Sequence, residues 1–264
     1  MLAGDEVAEV SSFVWGCTTS AQSYDIKMEN KTYKFWDTSG LNEGEKGSVP
    51  AEKAINDLFN LVKSISVNLI IYCVRGCRFT DIVRVNFDLF CGIMCEGKVP
   101  VVLVVTGLEQ EEVLDEWWTK YEKDVKRMGL SFEGHACVTT IKGRNNIYLK
   151  EYQESSERVW RLVEEHCNSP PWVLSPQWLD KVPDTIARYM AEYNACSGKE
   201  RKLLPRRPRL STAAAPPRSK PDPRESGSSV CIQLHYTPRI HFFYFSIILS
   251  FLAMQDLAKA PSLT

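Results

Sequence analysis

The chain has 264 residues, of which 44% are hydrophobic, 25% charged and 11% aromatic. This composition excludes a collagen-like, wholly disordered or coiled-coil protein. The sequence contains no run of about 20 apolar residues, so no transmembrane helix is predicted. The formal net charge is −1, but residues 1–196 carry a net −8 and residues 197–264 a net +7. We therefore expect an acidic body followed by a basic tail.

The first half of the body predicts strands that alternate with helices. Two short strands at 24–28 and 33–36 are expected to form a hairpin, and apolar residues at helical spacing predict a helix over 51–64. Nearly continuous apolar runs at 67–74 and 99–105 are typical of parallel strands that are covered on both faces.

The second half of the body continues the same alternation. Helices are expected over 80–95, 114–128, 148–166 and 176–193, with a short strand at 135–139. Strands that alternate with helices of this length indicate an α/β domain with a mainly parallel sheet.

The remaining residues divide the chain into three parts. We assign 1–195 to the folded domain, 196–240 to a disordered linker rich in Pro and Arg, and 241–264 to a short hydrophobic tail. The linker has no stacking aromatics in its Arg-rich part, which argues against a nucleic-acid partner. The apolar run 242–254 is shorter than a bilayer span, so an interfacial segment or misread coding sequence is favoured over a membrane anchor.

Cysteine usage favours a cytoplasmic protein. The nine cysteines are an odd number, and the mixed, acidic first ten residues do not resemble a signal peptide. Reduced thiols are therefore expected. The pairs Cys73/Cys77 and Cys91/Cys95 are interpreted as buried structural thiols, with a zinc site as the alternative.

A candidate metal and phosphate site follows the second predicted strand. Asp37-Thr38-Ser39-Gly40 places a carboxylate at a strand end, where it can hold Mg²⁺ through water. Gly40 lets a backbone N–H approach a phosphate oxygen closely. Thr18 or Thr19, about 20 residues upstream, can place a hydroxyl on the same ion.

A candidate base-reading site follows the strand at 99–105. It ends in Thr106-Gly107-Leu108-Glu109, and a carboxylate such as Glu109 can accept two hydrogen bonds from the N–H edge of guanine. The strand at 135–139 ends close by, and its backbone amides can meet a base oxygen.

Taken in order, these motifs resemble the G domain of P-loop GTPases, in particular the septin-like and immunity-associated branch that includes fungal G-domain proteins. The resemblance covers about residues 1–180 and implies a three-layer Ras-like fold. It implies that Thr18 or Thr19 closes on Mg²⁺ and the γ-phosphate, that Asp37 and Gly40 form the Asp-x-x-Gly motif, and that Thr106 and Glu109 read the base. Gly107 replaces a basic residue whose stem packs on the base in that family.

The chain departs from the family at its start. No G-x-x-x-x-G-K-[ST] motif occurs, so the phosphate cradle of the family is absent. We expect the chain to begin inside the helix that follows that loop and to lack the preceding strand. That strand is central in the family, so the sheet is expected to be open between the strands at 33–36 and 67–74.

The resemblance implies a protein that binds GTP or GDP with Mg²⁺. GTP hydrolysis is expected to be slow, because Ser39 and Leu41 offer no obvious side chain to orient water. The alternative is a nucleotide-free pseudo-GTPase that serves as an interaction module for an unidentified protein partner. The resemblance also suggests a homodimer that forms across the nucleotide face.

Overall fold

The computed structural model describes residues 2, 21–28, 30–38, 51–76, 81–167, 170–195 and 229–236. The chain first forms an antiparallel hairpin of β1 (Gln22–Met28) and β2 (Lys31–Asp37). Helix α1 (Ala51–Ser64) follows. The structure thus confirms the predicted hairpin and first helix. Both were predictable because the alternation of the strands and the helical spacing of α1 are strong local signals.

The continuous apolar runs form the centre of a sheet. A short β3 (Ser66–Val67) precedes β4 (Leu69–Arg75), and β5 (Val101–Thr106) and β6 (Gly134–Cys137) follow. Strands β4, β5 and β6 pair in parallel. All six residues of β5 are buried, as expected for a strand that is covered on both faces.

The helices lie largely where the sequence predicts them. They are α2 (Asp81–Phe87), α3 (Glu116–Arg127), α4 (Leu149–His166), α5 (Pro176–Leu179) and α6 (Val182–Ala195). The single helix expected over 176–193 is therefore interrupted after Leu179. A two-residue β7 (Trp172–Val173) pairs with β3 in a separate small sheet.

Helix α2 continues as a π-helix over Asp88–Met94, where the sequence predicts only α-helix. Two contacts from the C-terminal helices fix this segment. The Tyr189 hydroxyl donates to Asp88 Oδ2 at 2.9 Å, and Trp178 Nε1 donates to the carbonyl oxygen of Ile93 at 2.8 Å. Residues distant in sequence thus satisfy polar groups of the π-helix, whose turns are wider than those of an α-helix. The local sequence period does not reveal such contacts.

Strand β8 (Ser229–Tyr236) completes the sheet from inside the predicted linker. The strand order is β1-β2-β8-β4-β5-β6, and β8 is parallel to both β2 and β4. The prediction of disorder over 196–240 is therefore wrong for these eight residues, and the prediction of an open centre is wrong as well. The sequence signal was available, because residues 229–236 alternate between apolar and polar types except at Cys231, but Pro- and Arg-rich neighbours obscure it.

Helices cover both faces of this mainly parallel sheet. The ring of Phe35 packs edge-on against Trp160 of α4, with 5.5 Å between centroids. The ring of Tyr72 packs edge-on against Phe87 of α2 at 5.6 Å. Phe35 and Leu69 both pair with Cys231 of β8, so their side chains lie on the same face of the sheet. Tyr72 is three residues after Leu69 and therefore points to the opposite face. The domain is therefore an α/β structure of three layers.

Candidate functional site

Strands β2, β8, β4, β5 and β6 run in the same direction. Their carboxyl ends therefore lie along one edge of the sheet. In open α/β sheets, ligands bind outside the carboxyl ends of the strands. Asp37 lies at the end of β2, and Thr106 ends β5 with Glu109 three residues beyond it.

The clearest polar contact at this edge joins Glu109 to Thr139. Thr139 Oγ1 donates to Glu109 Oε1 at 3.0 Å. The ladder between β5 and β6 extends up to this point, because Val138 N donates to the carbonyl oxygen of Val105 at 2.8 Å. The contact therefore connects the carboxylate predicted to read a base with the loop whose backbone amides were predicted to meet a base oxygen.

A buried serine holds that loop from inside the domain. Ser155 on α4 is fully buried, and its Oγ accepts a hydrogen bond from the Thr139 N–H at 3.0 Å. The Thr139 N–H is therefore already used in a hydrogen bond within the protein, and the Thr139 hydroxyl is the group that contacts Glu109. Sequence reasoning missed Ser155, although a serine among the apolar positions of a helix is a recognisable signal.

Thr106 lies close to this pair but belongs to the sheet. Its side chain is buried, and its hydroxyl lies 3.4 Å from the carbonyl oxygen of Val74. That distance is longer than an ordinary O–H···O hydrogen bond. The structure thus brings Glu109 together with Thr139, and leaves the Thr106 hydroxyl turned toward β4.

The ends of β4 and β5 interlock beside Glu109. Gly107 has φ +73°, and a Cβ placed on it would lie 2.8 Å from Cγ of Arg75. In the reciprocal contact, the Leu108 side chain fills the place where Gly76 has no side chain. The Gly76 N–H also donates to the carbonyl oxygen of Thr106 at 2.6 Å. Sequence reasoning did not single out Arg75, because its neighbour across the strands was unknown.

Asp37 and Thr38 occupy a different point of the same edge. Both are 4% exposed, and the Thr38 hydroxyl has no hydrogen-bond partner among the described residues. Register through β8 and β4 places Asp37 level with Val102, four residues before Thr106. Three strand spacings separate β2 from β5 by about 14 Å, and four residues add about 13 Å along the strands. A ligand that contacts both ends must therefore be elongated.

The predicted metal ligands are described only in part. Asp37 is buried at the strand end, and its carboxylate and the neighbouring Thr38 hydroxyl are the hard oxygen donors that suit Mg²⁺. Thr18, Thr19 and Gly40 lie outside the described residues. Within the described part of the chain, no group of three His, Cys, Asp or Glu side chains could hold a metal ion.

A separate polar cleft of about 360 Å³ lies between α3, β6 and α4. His135 lines it and stacks on Trp118, with 4.1 Å between ring centroids. Burial lowers the pKa of His135 below its usual value. Arg158 crosses the cleft and donates to Asp115 Oδ2 at 2.8 Å. This ion pair involves two of the four charged side chains that line the cleft, and Arg161 and Glu165 are the other two.

Five cysteines are buried free thiols: Cys73, Cys91, Cys95, Cys137 and Cys167. Burial raises the pKa of Cys137 to about 12 and raises the pKa of Cys91 and of Cys95 well above the usual range.

We expect iodoacetamide at pH 8 to leave these thiols unmodified in the native protein and to alkylate them after denaturation, as peptide mass spectrometry would report. Rapid native alkylation of Cys91 or Cys95 would contradict the buried-thiol interpretation.

None of the helices described combines the length and the apolar character needed to cross a membrane. A scan against protein-family models found no match for this chain, and a search of curated proteins found no significant relative.

Proposed function

We propose that this protein binds a guanine nucleotide at the carboxyl edge of its sheet, with the base read by Glu109. The observation that carries the proposal is the hydrogen bond from Thr139 Oγ1 to Glu109 Oε1. It holds one oxygen of a half-buried carboxylate in place at the sheet edge where α/β domains bind ligands. A carboxylate fixed in this way favours a ligand edge that carries two N–H donors.

Guanine presents such an edge, with N1–H and the 2-amino group side by side. Adenine presents an acceptor nitrogen at the corresponding position, which a carboxylate repels. Glu109 therefore favours guanine over adenine. The G-domain resemblance of the sequence leads to the same ligand, and the three-layer α/β fold is compatible with a Ras-like arrangement.

The phosphate end of the nucleotide would extend toward Asp37. Glu109 and Asp37 lie far apart along this edge, so a nucleoside di- or triphosphate can reach both residues and a free base cannot. Asp37 would hold Mg²⁺ through water, together with Thr18 or Thr19, and Gly40 would contact the γ-phosphate. The ion would supply charge neutralisation of the phosphates. Because Ser39 and Leu41 offer no obvious water-orienting group, we expect a slow switch rather than rapid GTP hydrolysis.

The proposal predicts that the full chain prefers GTP to inosine triphosphate, which lacks the 2-amino group. A hydrogen bond to a charged group is worth about 1.5–3 kcal/mol, so the preference should be about tenfold or more. Fluorescent-nucleotide titration with Mg²⁺ or with EDTA would measure both the preference and the metal dependence. In Glu109→Gln the preference should shrink sharply.

Glu111→Gln is the matched control, because Glu111 is an exposed carboxylate of the same turn. It should keep the preference of the unaltered chain. Equal affinity for GTP and inosine triphosphate in the unaltered chain would overturn the base-reading role of Glu109.

A second candidate function is a nucleotide-free interaction module. Two observations favour it: the chain has no G-x-x-x-x-G-K-[ST] motif, and a C-terminal strand occupies the centre of the sheet. The titration separates the two functions. Micromolar, Mg²⁺-dependent binding supports the nucleotide site, and no binding of any guanine nucleotide supports the interaction module.

A further inference from the structure

The side chain of Arg75 lies flat along the backbone of Gly107. Measured from the point where a Cβ of residue 107 would be, Arg75 Cγ, Nε and Cδ lie at 2.8, 2.9 and 3.3 Å. Three consecutive atoms at nearly equal distance mean that the side chain runs across the glycine rather than away from it. Any side chain at position 107 would occupy this space, so the contact depends on glycine there.

The position of Arg75 is set by the sheet. Arg75 pairs with Thr106 at the end of the β4–β5 ladder, and Leu108 packs on Gly76 from the other strand. Each strand end thus places a side chain on a glycine of its neighbour. This reciprocal contact fixes the Arg75 side chain on Gly107, which precedes Glu109 by two residues in the chain.

We propose that the guanidinium of Arg75 is the platform on which one face of the bound purine stacks. The inference rests on the proposed function, because it assumes that Glu109 engages the edge of a base. When the edge of a planar base contacts Glu109, the two faces of the base lie against the residues on either side of the turn at 106–109. The Arg75 guanidinium is itself planar, and Arg stacks favourably on aromatic faces.

The two residues then have different tasks. Glu109 selects guanine through hydrogen bonds to one edge, whereas Arg75 contributes to the affinity for any purine through its face. Arg75 is therefore a binding residue without base selectivity. This division gives each role its own experimental signature.

The test is nucleotide titration of the full chain carrying Arg75→Leu or Arg75→Lys. Stacking predicts a loss of about tenfold in affinity, and the same fold-loss for GMP, GDP, GTP and inosine triphosphate. Lys should restore little, because it keeps the charge but not the planar group. Arg127→Lys is the control, because Arg127 is an exposed residue at the far end of α3 and its change should leave all affinities intact.

Gly107→Ala provides an independent variant, because its new Cβ must displace the Arg75 side chain. We expect it to lose at least as much affinity as Arg75→Leu, because the positive φ of residue 107 also strains any side chain placed there. The double variant should bind no more weakly than Gly107→Ala alone, since the Arg75 contact is already lost in that variant. Thermal unfolding of each variant would verify that the domain stays folded.

Each other outcome overturns the inference. A loss that grows with the number of phosphates, and that Lys restores, would make Arg75 a phosphate contact. Unchanged affinity in both Arg75 variants, with guanine preference still lost in Glu109→Gln, would remove the platform and leave the proposed function standing. A full chain that binds no purine nucleotide would overturn both.

Discussion

Ending the chain at residue 228 should abolish cooperative folding. Strand β8 forms five registered pairs with β2 and six with β4. At about 1 kcal/mol net for each backbone hydrogen bond, the two ladders contribute about 10 kcal/mol, which equals the whole stability of a typical domain. Removing β8 also separates the β1–β2 hairpin from β4. Urea unfolding followed by circular dichroism should then show no cooperative transition.

Two further chains sharpen this expectation. A chain that ends at residue 240 keeps β8 and should unfold at the same urea concentration as the full chain. Ile232→Pro in the full chain removes one N–H from the middle of β8, where a proline disrupts a central strand, and should be strongly destabilised. If the chain ending at 228 unfolds with the midpoint and slope of the full chain, β8 is not part of the stable sheet.

Trp160→Ala is expected to cost about 3–5 kcal/mol in the free energy of unfolding. Trp160 on α4 is buried, and its ring lies 5.1 Å from Tyr33 and 5.5 Å from Phe35 of β2, edge-on to both. Its Nε1 donates to the carbonyl oxygen of Leu2 at 3.2 Å. One side chain thus connects α4, the hairpin and the beginning of the chain.

The matched control for this variant is Trp160→Phe, which keeps an aromatic ring and removes the hydrogen bond. It should cost a good deal less, since it deletes less apolar volume and a net contribution of about 1 kcal/mol from the bond. Denaturant midpoints of both variants would measure the difference. Equal costs for Ala and Phe would show that the bond to Leu2, rather than the packing, carries the stability.

Local pattern was enough to predict most of the fold. The hairpin and α1 each carry a hydrophobic period, and the buried strands β4 and β5 are continuous apolar runs, so all four are recognisable without the rest of the chain. The π-helix over Asp88–Met94 could not be predicted in the same way, because it depends on Tyr189 and Trp178 from helices that follow much later. Strand β8 was missed for a different reason, since the composition around it outweighed an alternation of only eight residues.

The residues of the candidate site were predicted from their places after strand ends. Glu109 was singled out because it follows β5, and the backbone amides of the loop after β6 were expected to meet a base oxygen. The structure shows that the Thr139 amide donates to Ser155 and that the Thr139 hydroxyl donates to Glu109, two contacts that the sequence alone did not predict. Arg75 was missed because strand register, which only the folded sheet supplies, brings it to Gly107.

The central place of β8 also has a consequence for the order of events during synthesis. Tyr33 of β2 pairs with Ser229, almost 200 residues later in the chain. At about 5–20 residues per second, the ribosome needs about 10–40 s to deliver that partner. During this interval β2 and β4 present unpaired strand edges, which are prone to wrong pairing. The nascent protein should therefore depend on chaperones for longer than a domain of this size whose central strand is made first.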